Sequence, residues 1–232
     1  MDTPIISGQT PDEVAVLQRA TVKFGFAGEI VPGVRFATSC CAAVVHADHE
    51  EMARRATAGL GALTDYRLID ALAQLPTHCP VAWDDLDPVV GAVLDCAPHG
   101  AVQADTTHVK RLWRPALLVT GVLVASADWR AGLEQVGIFA PDAARGLVLL
   151  GQPRHPGELL HEARRFGIGV VAASLQDAEA RLLLAPQTDR PLRPSPRHWR
   201  FLEAVFAAWC AHKADSTLRQ DEGHASSAHA RR

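Results

Sequence analysis

The sequence predicts an α/β (α+β) domain with a mixed central sheet flanked by helices. Three observations carry that expectation. The apolar runs "ALLVTGVLVA" (116–125), "GLVLL" (146–150) and "IGVVAA" (168–173) are short and lack alternation, as strands covered on both faces do. Amphipathic segments with start and stop signals lie between them. With 48% hydrophobic and 21% charged residues over 232 positions, the chain can bury one substantial core.

The elements follow in order. Thr10-Pro11-Asp12-Glu13 opens a helix over 11–24, with Thr10 as cap, Pro11 at the first position and Glu13 completing a capping box. Val14, Leu17, Val22 and Phe24 are expected on its apolar face, and Gly25 ends it. "GEIV" and "VRFATSCCAAVVHA" (34–47) predict two paired strands around a Pro32-Gly33 turn. Asp48 caps "HEEMARRATAGLGAL", where Glu50 and Arg54, and Glu51 and Arg55, stand in the favourable i,i+4 order. Thr64 caps "DYRLIDALAQL", which Pro76 stops.

Residues 76–88, "PTHCPVAWDDLDP", are expected to form an irregular acidic connector. "VVGAVLDCA" and "AVQAD" are expected to pair as a hairpin around Pro98-His99-Gly100. After the strand at 116–125 comes a helix over 128–139, capped by Ser126 or Asp128. The strand at 146–150, a helix "HPGELLHEARRFG" ended by Gly167, the strand at 168–173 and an edge strand "EARLLLAP" complete the sheet. The linker "RPLRPSPRHW" leads at Ser195-Pro196 into a helix of about 196–213, with Trp199, Leu202, Val205, Phe206 and Trp209 at helical spacing. The expected organisation is a single domain over 1–213, a helical insertion at about 48–76 and a disordered tail over 214–232.

No apolar run reaches the ~20 residues of a membrane span, and no basic segment precedes an apolar one at the start, so a cytoplasmic protein is expected. The five cysteines (Cys40, Cys41, Cys79, Cys96, Cys210) are odd in number and two are adjacent, which predicts reduced thiols. The net charge of −3 hides an asymmetry. Residues 48–105 hold ten acidic against three basic side chains, and residues 186–232 hold eight basic against five acidic. A general nucleic-acid binder is usually basic overall, because neutralising phosphates supplies most non-specific affinity.

In its order of helix, strand, strand, insertion, strand, helix, strand, helix, strand, the chain resembles the restriction-endonuclease-like, PD-(D/E)XK superfamily. The local match is best from Leu117 to Ser174. The resemblance implies a core of that kind, carrying a helical insertion and a C-terminal helix. It also implies Mg²⁺ held by strand acids, a lysine beside the attacking water, and a glutamine on the helix after the catalytic strand, where Gln135 stands. The acids and the lysine are missing. The first strand offers Thr38, Ser39, Cys40 and Cys41, and the second Thr120, Gly121, Val122 and Leu123. None of these supplies the hard oxygen ligands or the base that such hydrolysis needs.

Other constellations carry the remaining chemistry. Asp95, Asp105, His108 and Lys110 would form a displaced metal site if they converge, and otherwise a polar hairpin end. His46, His49, Cys96 and His99 have zinc-type donors but no CxxC pair. Asp84, Asp85 and Asp87 read as a solvated acidic loop. Arg190, Arg193, Arg197 and Arg200 would grip phosphate or nucleic acid, with the start of the last helix favouring an anion.

The leading expectation is therefore a non-catalytic or degenerate nuclease-like domain acting as a binding or regulatory module. Its partner is expected to be protein or nucleic acid, with a homodimer also open and no membrane involved. No cofactor is expected, except Mg²⁺ under the alternative of a metal-dependent hydrolase with a displaced site. The other alternative is a protein-interaction module without nucleic-acid contact, docking through an exposed face around Trp199 and Trp209.

Overall fold

The computed structural model describes residues 11–77, 79–140, 142–153, 156–175, 179–187 and 195–229. The chain runs α1 (Pro11–Phe24), β1 (Glu29–Phe36), β2 (Ser39–Ala47), α2 (His49–Ala58), α3 (Tyr66–Gln74), β3 (Pro80–Ala82), a 3₁₀ turn (Trp83–Asp85), α4 (Pro88–Asp95), β4 (Val102–Ala104) and β5 (His108–Arg111). It continues with β6 (Leu117–Ser126), α5 (Trp129–Gly137), β7 (Arg145–Leu150), α6 (Pro156–Arg165), β8 (Gly169–Ala173), β9 (Ala180–Leu184) and α7 (Pro196–His229). The fold is mixed α/β. A six-stranded sheet is ordered β1-β2-β6-β7-β8-β9, and a three-stranded sheet β3-β5-β4 lies in the insertion between β2 and β6.

The main sheet joins two kinds of pairing. β1, β2 and β6 are antiparallel neighbours, while β6, β7 and β8 are parallel. Each parallel step is bridged by one helix, α5 or α6. Those helices pack with α7 on one face, and α1 covers the other. Both faces being covered explains why every residue of β8 is buried. β9 is an edge strand, as expected.

Several local expectations change. In α1 the buried face is Val16, Leu17, Ala20 and Phe24, whereas Val22 is 78% exposed. Positions 16, 20 and 24 share a face at four-residue spacing, and a step of five from Leu17 rotates Val22 off it. Pro32-Gly33 is an irregularity inside β1, and the hairpin turns at Ala37-Thr38, with Ala37 at φ 52°. β1 is an edge strand, where a proline lacking its N–H is tolerated. Asp65, in place of Thr64, caps α3, through a bond to the Arg67 amide. The segment expected as a strand at 89–97 is α4, because Asp87 caps the Val89 amide at 2.8 Å and Pro88 stands in the first turn. Those start signals outweigh the β-branched composition. The expected connector at 76–88 contains β3 and the 3₁₀ turn, so the insertion is a mixed unit reaching beyond residue 76. The last helix extends past residue 213. The Thr10 cap lies outside the described residues.

The insertion is fixed to the main sheet by a buried charge network. The Arg55 guanidinium donates to both oxygens of Glu203 on α7 (2.7 and 3.2 Å), to Glu51 (3.0 Å) and to the Arg114 carbonyl (2.7 Å). Glu203 also accepts from the Leu63 amide (2.6 Å) and the Trp113 indole (3.1 Å). The expected Glu51–Arg55 pair is present, but Arg54 pairs with Glu51 and not with Glu50, which reaches Arg114 at 2.9 Å. Such a network persists in the interior because its charges are paired and its polar atoms bonded.

Candidate functional site

The resemblance directs attention to β2, β6 and α5. Thr120 is the extra residue at an irregularity where Val44 pairs with Gly121 and Val45 with Val119. Its hydroxyl is directed at the carbonyls of Ala27 (2.8 Å) and Val44 (3.2 Å). Gly121 faces Phe26: a Cβ there would lie 2.6 Å from Cε2 of that ring. Phe26 in turn stacks on Phe24, whose ring lies against Gly146 and Gly169. This part of the sheet is therefore filled by two aromatic rings belonging to a continuous apolar cluster.

On β2, Cys41 is fully buried, and burial pushes its thiol well above the ordinary value. Burial raises the Cys40 thiol as well. Both shifts run opposite to the lowered pKa of an activated nucleophile. The Ser39 hydroxyl lies 3.4 Å from the backbone carbonyl of Gln135, whose side chain is exposed.

Asp95, Asp105, His108 and Lys110 are divided between two shallow cavities. Asp95 and Asp105 line one of about 620 Å³ beside Trp83. Asp105, His108 and Lys110 line another of about 230 Å³. One oxygen of Asp105 accepts from the Thr107 amide (2.7 Å), the Thr107 hydroxyl (2.8 Å) and the His108 amide (2.8 Å), closing the β4–β5 turn. Those hydrogen bonds, led by the Thr107 amide, hold its pKa down at about 2. The chemistry is that of an Asx-type turn.

Among the described residues, no three His, Cys, Asp or Glu side chains are arranged to hold a metal ion. His46 lines a cavity of about 450 Å³ with Asp48 and His198, while Cys96 and His99 lie at the end of α4, where His99 Nδ1 is 3.3 Å from the Ala58 carbonyl. Asp84 and Asp85 are exposed and Asp87 is a helix cap.

Arg197 and Arg200 on α7 are partly exposed, and each is paired with a carboxylate. Arg197 bonds Asp142 (3.1 Å) and the Ile138 carbonyl (2.6 Å), and lies over Phe36. Arg200 pairs through two bonds with Asp70 and lies over Tyr66. Arg190 and Arg193 lie outside the described residues. Nor is the α7 face a free docking patch: Trp199 packs against Trp113 and Arg111, and Trp209 against Phe206, with its indole bonding Glu29. Both rings are partly buried against the chain's own core, where α7 lies along β1 and α3.

A further concavity is one the sequence did not single out. It is an open cleft of about 1030 Å³ between α5 and α6. Leu133 and Ile168 form its apolar floor, and Trp129 and the half-exposed Phe166 stand at its walls. Arg130 lies over the Trp129 ring at 4.3 Å and pairs with Glu158 at 3.0 Å across the mouth. Arg145 donates to the Phe166 carbonyl. Glu134 and Glu162 also line the cleft. A concave, mainly apolar surface with a few polar groups is the general form of a binding site. The sequence signals were the Trp129-Arg130 pair in the first turn of α5 and the aromatic Phe166 just after α6. Neither reveals how far two neighbouring helices splay.

No protein-family model, no curated protein and no solved structure matches this chain.

Proposed function

We propose that the chain is a non-catalytic domain of nuclease-like architecture that acts as a binding or regulatory module, and that the α5–α6 cleft is its binding surface. The observation that carries this reading is the Phe26 ring packed on Gly121. It lies against the part of β6 where the resemblance puts an acid and a lysine. The chain order α1, β1, β2, insertion, β6, α5, β7, α6, β8 is the order on which the resemblance rests. No side chain from Ala116 to Ala127 is charged.

The partner favoured is a protein. Arg197 is paired with the buried Asp142 and Arg200 with Asp70, and the cleft carries three glutamates beside two arginines. Phosphate binding needs uncommitted basic groups. A second reading keeps one specific support: Asp95 and Asp105 line the same cavity, as a displaced hydrolase site requires.

Fluorescence anisotropy with labelled duplex DNA, single-stranded DNA and RNA tests the choice of partner class. The full chain is expected to show no saturable binding at physiological salt. Salt-steep binding that is lost in Arg197→Ala/Arg200→Ala would replace the protein reading with a nucleic-acid one.

A further inference from the structure

We propose that Asp142 holds the proton of the neutral His198 imidazole on Nδ1, and that Nε2 is thereby presented as a hydrogen-bond acceptor to a small neutral phenol or alcohol in the cavity that His198 lines. This cavity is separate from the α5–α6 cleft, and the inference stands independently of it. His198 lies in the first turn of α7, where its amide donates to the Ser195 hydroxyl at 3.1 Å. Asp142 lies between α5 and β7 with its side chain fully buried. Its Oδ2 accepts from Arg197 at 3.1 Å. Its Oδ1 lies 3.5 Å from His198 Nδ1. Both Oδ1 and Nδ1 are buried, and neither has another partner among the described residues. Leaving two such atoms unsatisfied is costly. A proton on Nδ1 serves both at once, whereas a proton on Nε2 would set the Nδ1 lone pair against a carboxylate.

The tautomer decides what the other edge of the ring offers. The His198 side chain keeps 17% of its exposure although Nδ1 is covered, and Nε2 makes no hydrogen bond among the described residues. The partner that orients an imidazole through one nitrogen sets the role of the other. His198 lines the cavity of about 450 Å³ together with His46 and Asp48, and Leu118, Trp199 and Leu202 supply apolar walls. Asp48 is already paired with Arg114 at 3.4 Å. A hydroxyl carried on an apolar body suits such a lining, since the O–H donates to Nε2 and the body lies against the walls.

The test is heteronuclear NMR of the imidazole nitrogens in the full chain at alkaline pH, with His198 assigned by the signals lost in His198→Gln. The native chain is expected to carry the Nδ1–H tautomer at His198, and Nε2–H there would overturn the inference. Asp142→Asn keeps the shape of the side chain. Its carbonyl oxygen can stay with Arg197 while its amide group faces Nδ1, so the proton is expected to move to Nε2. An unchanged tautomer in a folded Asp142→Asn would remove Asp142 as the positioning residue, and if that variant does not fold, the native tautomer decides. Phenol titrated into the native chain is expected to shift Nε2 saturably and to bind about tenfold more tightly than toluene, which lacks the donor. Equal binding of the two, or no saturable shift, would overturn the ligand class.

Discussion

The ring of Phe26, which follows α1, lies directly against the backbone of Gly121 in the middle of β6. Any side chain at 121 would have to displace an aromatic ring that is itself stacked on Phe24. Gly121→Ala is therefore expected to destabilise the fold by about 1–3 kcal/mol, the usual cost of overpacking. In a Phe26→Ala background the same substitution should cost less, because the ring it meets is gone. Urea denaturation of the four proteins of that cycle gives the coupling directly. Equal costs in both backgrounds would mean that the two residues do not meet.

The Arg55–Glu203 pair gives a second prediction. Both side chains are 1% exposed, and Glu203 also holds the Trp113 indole and the Leu63 amide. Glu203→Ala leaves a buried guanidinium with only Glu51 and a carbonyl, and is expected to cost about 3–5 kcal/mol. Glu203→Gln keeps an acceptor for Trp113 and Leu63 and should cost less. Denaturation midpoints at constant m-value rank the three proteins.

The same network makes stability depend on pH. Burial alone pushes the Glu51 carboxyl up, but hydrogen bonds and charge from Arg54 and Arg55 outweigh it, so its pKa lies below the ordinary 4.5. A carboxylate whose pKa is lowered on folding stabilises fully above the unfolded value, and that contribution disappears as pH falls through the folded one. Unfolding free energy should therefore fall below about pH 4.5 more steeply in the native sequence than in Glu51→Gln. A series of denaturation curves from pH 7 to pH 3 measures both slopes, and parallel slopes would remove Glu51 as the source.

The elements from Leu117 to Ala173 were legible because each carries one consistent local signal: an unalternating apolar run, or an amphipathic helix with a cap. Asp128, one of the two expected caps, accepts from the Arg130 amide at 2.8 Å. α4 is not evident from its own residues, because "VVGAVLDCA" has strand composition and its helix depends on the start signals Asp87 and Pro88. The absence of charge on β6 was visible, but its filling was not. Phe26 and Gly121 are remote in sequence and meet only through α1 crossing the sheet. The α7 arginines looked like anion ligands because a linear reading cannot see Asp142 and Asp70 beside them. The α5–α6 cleft is a property of the space between two helices, which no local pattern encodes.

The proposal that the domain binds without cutting is tested by cleavage of plasmid, linear and single-stranded DNA by the purified full chain in Mg²⁺ or Mn²⁺, with Asp95→Ala and Asp105→Ala alongside. Asp105 closes a turn, so Asp105→Ala is expected to lower the melting temperature slightly while leaving the background rate of DNA loss unchanged. All three proteins should match buffer alone. Metal-dependent cutting by the native chain that either substitution abolishes would contradict the claim and place the chemistry in the insertion.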